Sequence, residues 1–413
     1  MELVAPAGNI DKLSFAWQYG ADAAYIGIKN FSLRTRADNF RENEHEEIQR
    51  LKNSYGAKAD GTTSAGTQTN GKKLYGAFNI YFYNHDLARL EQEAEYLAKY
   101  PFDAFIISDM GTLPFFRKHF PNIPLHLSTQ ANCTNAEAAR FYRDQGFSRI
   151  ILGRECSLIE IEEIKKASGL QIEVFVHGAM CLAYSGRCFL SAYMAGRSGN
   201  RGDCAHPCRW MFRVLEESER EGEYFPVEED IHFTSILSSK DLCMIDHLDR
   251  LRDAGVDACK IEGRMKSVYY VAVITRAYRK AIDCLAGKTD EDLTLYREEL
   301  FKVSHREFWT GFFFDKSEIA KPTLQAYTRE YLFLGSVISE ESPGIYRIDV
   351  KNSFGADEEI EYTGWDVLSI MDKGFALSEQ SGQPAERSDH HRPFLLKTDK
   401  PLKPGYIIRR KTR

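Results

Sequence analysis

Short apolar runs separated by amphipathic stretches repeat through the first two-thirds of the chain. That rhythm limits the fold more than any other feature. Eight runs read as strands: Glu2–Gly8, Ala23–Ile28, Leu74–Tyr81, Ala104–Asp109, Leu125–Ala131, Arg149–Gly153, Gln171–Gly178 and Asp257–Gly263. Their apolarity suits strands buried on both faces. The segments between them carry helical spacing. Ile10, Leu13 and Trp17 fall on one face, behind Asn9, whose side chain can cap that helix. A second helix runs from Asn84 to about Tyr100, and a long one from about Ser267 to Ala286. Eight strands alternating with helices meet the needs of a (β/α)8 barrel of the TIM type. A doubly wound open sheet uses the same elements, so periodicity leaves closure undecided; the barrel is the expectation carried forward.

Two segments break the rhythm. Lys58–Lys72 is rich in Gly, Thr and Ser and reads as a loop. The longer break, 179–243, falls between the seventh and eighth strands and holds most of the clustered cysteines. Beyond residue 320 the pattern changes: Tyr331–Ile338, Ile345–Val350, Glu358–Tyr362 and Tyr406–Arg410 look like short strands between Gly, Pro and Asp turns. The expected organisation is thus α/β. A TIM-barrel-like domain over 1–320 carries a cysteine-rich insertion, and a small all-β C-terminal domain follows over 321–413.

Composition excludes several classes. Aromatic residues make up 12%, too many for a disordered chain. No run approaches the roughly 18 apolar residues that span a bilayer, so no membrane role is expected. The N-terminus lacks a basic leader and an apolar core, which predicts a cytoplasmic protein. A net charge of −6 makes no global case for nucleic acid, and no DNA partner is expected. It does conceal two basic clusters: Arg187, Arg197, Arg201, Arg209 and Arg213 in the insertion, and Lys400, Lys403, Arg409, Arg410, Lys411 and Arg413 at the C-terminus. Such clusters can grip phosphates while an aromatic ring stacks on an unpaired base.

The chemistry is expected in Glu173–Trp210. Cys181, Cys188, Cys204 and Cys208 sit within 28 residues, and Cys243 follows. The gaps are six, fifteen, three and thirty-four residues, with no CxxC knuckle of the kind zinc ribbons use. Irregular thiolate spacing fits an iron–sulfur cluster better. Cys133, Cys156, Cys259 and Cys284 read as small hydrophobes. Barrel enzymes keep their sites at the C-terminal ends of strands. Arg34, Arg36, Asn79, Asp109, Gln130, Asn132, Arg154, Glu155, His177, Glu262 and Arg264 all fall at such ends, whereas His126 and Ser128 should pack inside. Arginine forks suit a small dianion. A thiol peptidase would need a Cys–His pair, and His177 and His206 stand near cysteines in sequence. No HExxH or GxSxG pattern occurs.

Several motifs together carry a family resemblance. They are LVAPAG, YGADAAYIG, SLRTRADNF, HLSTQAN, the run of Glu173, Phe175, Gly178, Ala179, Met180 and Cys181, then Gly186, Cys188, Leu190 and Ser191, and CRW, SSKDL and KIEGRMKS. Over nearly all of 1–315 the chain resembles the collagenase-like peptidase family U-thirty-two. It looks most like the branch that hydroxylates the tRNA wobble uridine. The resemblance implies an oxygen-independent hydroxylase with a 4Fe–4S cluster, prephenate as co-substrate and oxygen source, and tRNA or rRNA as partner. It implies Cys181, Cys188 and Cys204 as ligands, with Cys243 or Cys208 as the fourth. Cys243 is preferred, because it closes the site from the far end of the insertion. The expected roles are catalysis for His177, Glu262 and Arg264, and co-substrate binding for Arg34, Arg36, Arg187 and Arg264. A collagenase-like peptidase, a hydroxylase of a ubiquinone- or menaquinone-type precursor or of a 23S rRNA cytidine, and a cluster-bearing assembly factor are the alternatives.

Overall fold

The computed structural model describes residues 1–33, 39–40, 44–56, 71–181, 183–209, 239–314 and 327–412. Arg34, Arg36, Arg213, Arg213's neighbours in the insertion, and most of Lys58–Lys72 lie outside them.

Eight parallel strands close into a barrel: β1 (Glu2–Ala7), β2 (Ala23–Gly27), β3 (Lys73–Phe78), β4 (Ala104–Ile107), β5 (Leu125–Leu127), β6 (Arg149–Ile151), β7 (Gln171–Ala179) and β9 (Ala258–Ile261). Neighbours pair in sequence order. β9 then bonds to both β7 and β1, which shuts the ring. The expected barrel is the one that forms. Asn9 caps the 10–18 helix by accepting from the Lys12 amide, as its sequence position predicted. Ser157 caps the 158–168 helix and Ser267 the 268–285 helix in the same way. The helix expected from Asn84 to Tyr100 is broken at Glu93 into 84–92 and 94–97.

A chain of ions fills part of the barrel interior. Arg149 reaches Glu2 at 3.1 Å and Glu173 at 2.9 Å, and Lys260 reaches Glu173 at 2.7 Å. Tyr75 donates to Glu2. Because β1 and β6 are not neighbours, the Arg149–Glu2 bond has to cross the barrel. Each buried charge here has an opposite partner, without which burial would be prohibitive. His126 lies beside this network, 4.9 Å ring to ring from Tyr75, inside the barrel as expected.

Two short strands outside the ring position the site. β8 (Asp241–Cys243) pairs antiparallel with the end of β7, setting His177 opposite Cys243, and β10 (Phe308–Trp309) pairs with β8. A buried ion pair between Asp241 and Arg306 at 2.7 Å holds this flap.

The C-terminal part forms an antiparallel eight-stranded sheet among the described residues. Its strand Ile407–Lys411 joins two cores by simple alternation. Ile407 belongs to the barrel's core and Ile408 to the sheet's own. Arg409 points the same way as Ile407 and bonds Glu299 and Glu361, while Arg276 bonds the same Glu299. This settles the basic C-terminal cluster differently from the sequence reading. Arg409 is fully buried, Arg410 pairs with Glu358 and Lys403 with Asp366, so those three charges are already spent on the protein itself. No helix among the described residues is long and apolar enough to cross a membrane.

Candidate active site at the barrel mouth

β7 delivers Ala179, Met180 and Cys181 to the C-terminal rim of the barrel. Two bonds hold their path and a third holds the neighbouring end of β9. Arg154 donates to the Ala179 carbonyl at 2.8 Å, the Ser239 hydroxyl donates to the Met180 carbonyl at 2.7 Å, and Tyr270 donates to the Glu262 carbonyl at 3.0 Å. Gly178 is needed at this point: its φ is +108°, and a Cβ would meet the Glu262 carbonyl oxygen at 2.7 Å. The insertion then folds back over the mouth. Gln130 donates to the Ser185 carbonyl at 2.7 Å, and Glu155 accepts from the Ser185 hydroxyl at 2.7 Å. Arg201 forks onto Asp86, and Tyr81 donates its amide to the Asn200 carbonyl at 3.2 Å.

The result is a cavity of about 310 Å³. Cys181, Cys188, Cys204 and Cys208 all line it, with Gln130, Arg154, His206, Glu262 and Lys266. Two sulfurs accept backbone N–H groups: Cys188 from Leu190 at 3.4 Å and Cys204 from His206 at 3.3 Å. Gly199 brings the backbone close, since a Cβ there would lie 3.6 Å from the Cys204 sulfur. Gathered cysteine sulfurs, two of them accepting backbone N–H bonds, are the kind of donor set an iron–sulfur cluster uses. As the side chains stand, no three His, Cys, Asp or Glu groups among the described residues converge closely enough to grip one metal ion.

Several expected residues lie elsewhere. Cys243 is not on the cavity wall; its sulfur is 3.8 Å from the Tyr278 hydroxyl, and burial pushes its thiol pKa up. The structure thus puts Cys208, not Cys243, with the other three thiols. His177 is buried against Tyr270, Tyr278 and Phe308, and burial lowers its pKa to about 3. Its ring is not among the lining groups. Arg264 is also buried and donates to Ser32 at 2.6 Å. Gly27 leaves room for it, since a Cβ there would collide with its guanidinium. Arg187 lies on the rim and donates to the Gln130 carbonyl at 2.8 Å. Glu262 stands where expected, on the wall. Arg34 and Arg36 lie outside the described residues. Lys266 carried no signal of its own in the sequence; it lies five positions beyond the end of β9, two after Arg264. Its ammonium sits over the Tyr327 ring at 4.7 Å.

A closed parallel barrel with a thiol-lined cavity at its C-terminal mouth is the arrangement of a barrel enzyme. The chain belongs to Peptidase family U32, which it matches over residues 8–322. It is similar to tRNA hydroxylation protein P1 of Bacillus subtilis, 33% identical over 99% of this chain and 94% of that protein. It is also similar to tRNA hydroxylation protein P of Escherichia coli, 36% identical over 87% of this chain and 85% of that one. A collagenase of Porphyromonas gingivalis is 30% identical, covering 90% of this chain and 88% of its own.

Proposed function

We propose that this chain hydroxylates a base of RNA, the wobble uridine of tRNA, with a 4Fe–4S cluster at the barrel mouth and prephenate as the source of oxygen. The observation that carries the reading is the gathering of Cys181, Cys188, Cys204 and Cys208 on one cavity wall, in a chain similar over nearly its whole length to tRNA hydroxylation proteins. Those four thiols would hold the cluster, with Cys208 as the fourth ligand. When bound, such a cluster supplies one-electron chemistry at the mouth.

The chain's own residues do the rest. Arg154 and Lys266 line the cavity and would hold the carboxylates of a small dianion, the part the sequence assigns to Arg34, Arg36, Arg187 and Arg264. Glu262 and His206 are wall residues of the kind that take or give a proton. His177, set back from the wall, orients the strand end instead: it packs on Tyr270, whose hydroxyl holds the Glu262 carbonyl. Anaerobic purification should yield a coloured protein containing iron and acid-labile sulfide; a colourless, iron-free preparation would sink the cluster. Mass spectrometry of tRNA and rRNA nucleosides from a deletion strain should show 5-hydroxyuridine lost. Unchanged hydroxyuridine would refute the tRNA substrate, and a loss confined to 5-hydroxycytidine would move the activity to rRNA.

His206 favours a second reading. It lines the cavity with Cys204 and Cys208, so a Cys–His pair for peptide cleavage has a place. Gelatin cleavage by the metal-free protein, abolished by His206→Ala, would establish it.

A further inference from the structure

The rim of the barrel mouth exposes large rings. Tyr81 is 37% exposed, Tyr83 60%, Tyr184 63%, Phe189 79% and Tyr193 89%. Aromatic surface this open is unusual away from a binding face. The rings are tied to the cavity below them. Tyr184 directly precedes Ser185 and Gly186, and Phe189 directly follows Cys188, all three of these neighbours lining the cavity. Phe189 and Tyr193 lie one helical turn apart, linked by an amide-to-carbonyl bond of 2.9 Å, and so share a face. Two of the rings have a guanidinium beside them. Arg187 lies 6.0 Å from the Tyr81 ring and Arg201 5.0 Å from the Tyr83 ring. Tyr83 also stacks on His85 at 6.0 Å with 6° between the planes, leaving a ready-made stack to extend.

We infer that this aromatic rim docks an unpaired loop of RNA, its rings stacking on bases while Arg187 faces the phosphates. The inference rests on the RNA reading above and locates the partner on a different face from the basic C-terminus. Open rings with arginines beside them suit single-stranded nucleic acid, because every base offers a flat face for stacking and Arg adds cation–π attraction. Aromatic and Arg side chains are enriched at protein–protein interfaces too; RNA is the occupant because these rings border the thiol-lined cavity of a chain similar to tRNA hydroxylation proteins. Arg197 is paired with Asp203 and Arg201 with Asp86, so stacking outweighs ion pairing, and binding has a shallow salt dependence.

The test uses the full-length protein purified anaerobically, an RNA hairpin with an unpaired loop, and a fully paired duplex of the same length. The combined variant Tyr184→Ala, Phe189→Ala, Tyr193→Ala should bind the hairpin on the order of tenfold more weakly per ring removed. Duplex binding, thermal unfolding and iron content should not change, nor should the salt slope. Lys400→Ala with Lys403→Ala and Lys411→Ala should bind the hairpin like the unsubstituted protein. Equal hairpin affinity for the ring variant overturns the inference, as does a loss confined to the C-terminal variant. A protein that binds neither RNA, but whose sedimentation changes on ring removal, makes the rim a protein contact and overturns it too. Nucleosides from complemented deletion cells separate the two levels. Hydroxylation unaffected by deletion removes the RNA reading, whereas loss on deletion with full restoration by the ring variant removes the rim alone.

Discussion

Cys208 and Cys243 are alike in chemistry and differ in what surrounds them. Cys208 faces the thiol-lined cavity, and Cys243 faces Tyr278. Cys208→Ala should therefore purify anaerobically without its full iron and sulfide, and Cys243→Ala should keep both; the opposite pattern would restore Cys243 as a ligand. The gathering of thiols was legible in the chain because four of them lie close in sequence. The choice of the fourth was not, because it depends on how the turn at 207–209 and the three-residue strand at 241–243 each aim their cysteine. His126 gives a second test at this scale. Burial, then the nearby Arg149 charge, lowers its pKa to about 3 from an ordinary 6.5. The folded protein keeps the ring neutral while the unfolded chain takes up a proton below 6.5. The stabilisation is thus whole above pH 6.5 and is lost progressively as pH falls toward 3. Between pH 7 and pH 5 this should cost about 2 kcal/mol. Urea unfolding of His126→Gln at the two pH values should show a pH-dependent loss smaller by about that much; an unaltered difference would mean that His126 is not the titrating group.

At the scale of elements, β7 is the decisive strand. Its first part pairs with β6 and β9 inside the ring, and its last part turns outward to pair with β8. Gly178 lies where the two roles meet. Gly178→Ala forces a side chain into positive φ against the Glu262 carbonyl and should destabilise the protein by about 2 kcal/mol or more. Denaturant unfolding would measure it, and a loss below a few tenths would show that the backbone relaxes freely. The eight ring strands were readable because apolar runs of this kind can only be buried. β8 and β10 were not, since strands of three and two residues carry no period. The same holds for the small C-terminal strands at 370–372, 376–378, 384–385 and 393–397, which the sequence reading did not separate from turns.

For the whole molecule, the C-terminal sheet is fastened to the barrel by charge as well as by apolar contact. Glu299 is shared by Arg276 at 2.9 Å and Arg409 at 2.7 Å, all three nearly excluded from water. Glu299→Gln takes the carboxylate from Arg276 and leaves Arg409 with Glu361 alone, and should cost roughly 3 kcal/mol in calorimetric unfolding. An unchanged midpoint would mean that the Glu299 charge does not fasten the sheet to the barrel. The basic C-terminus shows why this level escapes a linear reading: Arg409 looks like part of a solvated cluster until the strand's alternation turns it toward Glu299 and Glu361. By itself the sequence determined the eight buried strands, the inserted cysteines and the β appendage, because burial of apolar runs and the spacing of thiols are local properties of the chain; closure of the ring came from the pairing of β9 with both β7 and β1. Only the tertiary structure decided which thiols share a cavity, which arginines are already paired, and which rings stand open at the mouth. Those depend on groups far apart in sequence meeting across the barrel, where each charge takes the nearest opposite partner that burial allows.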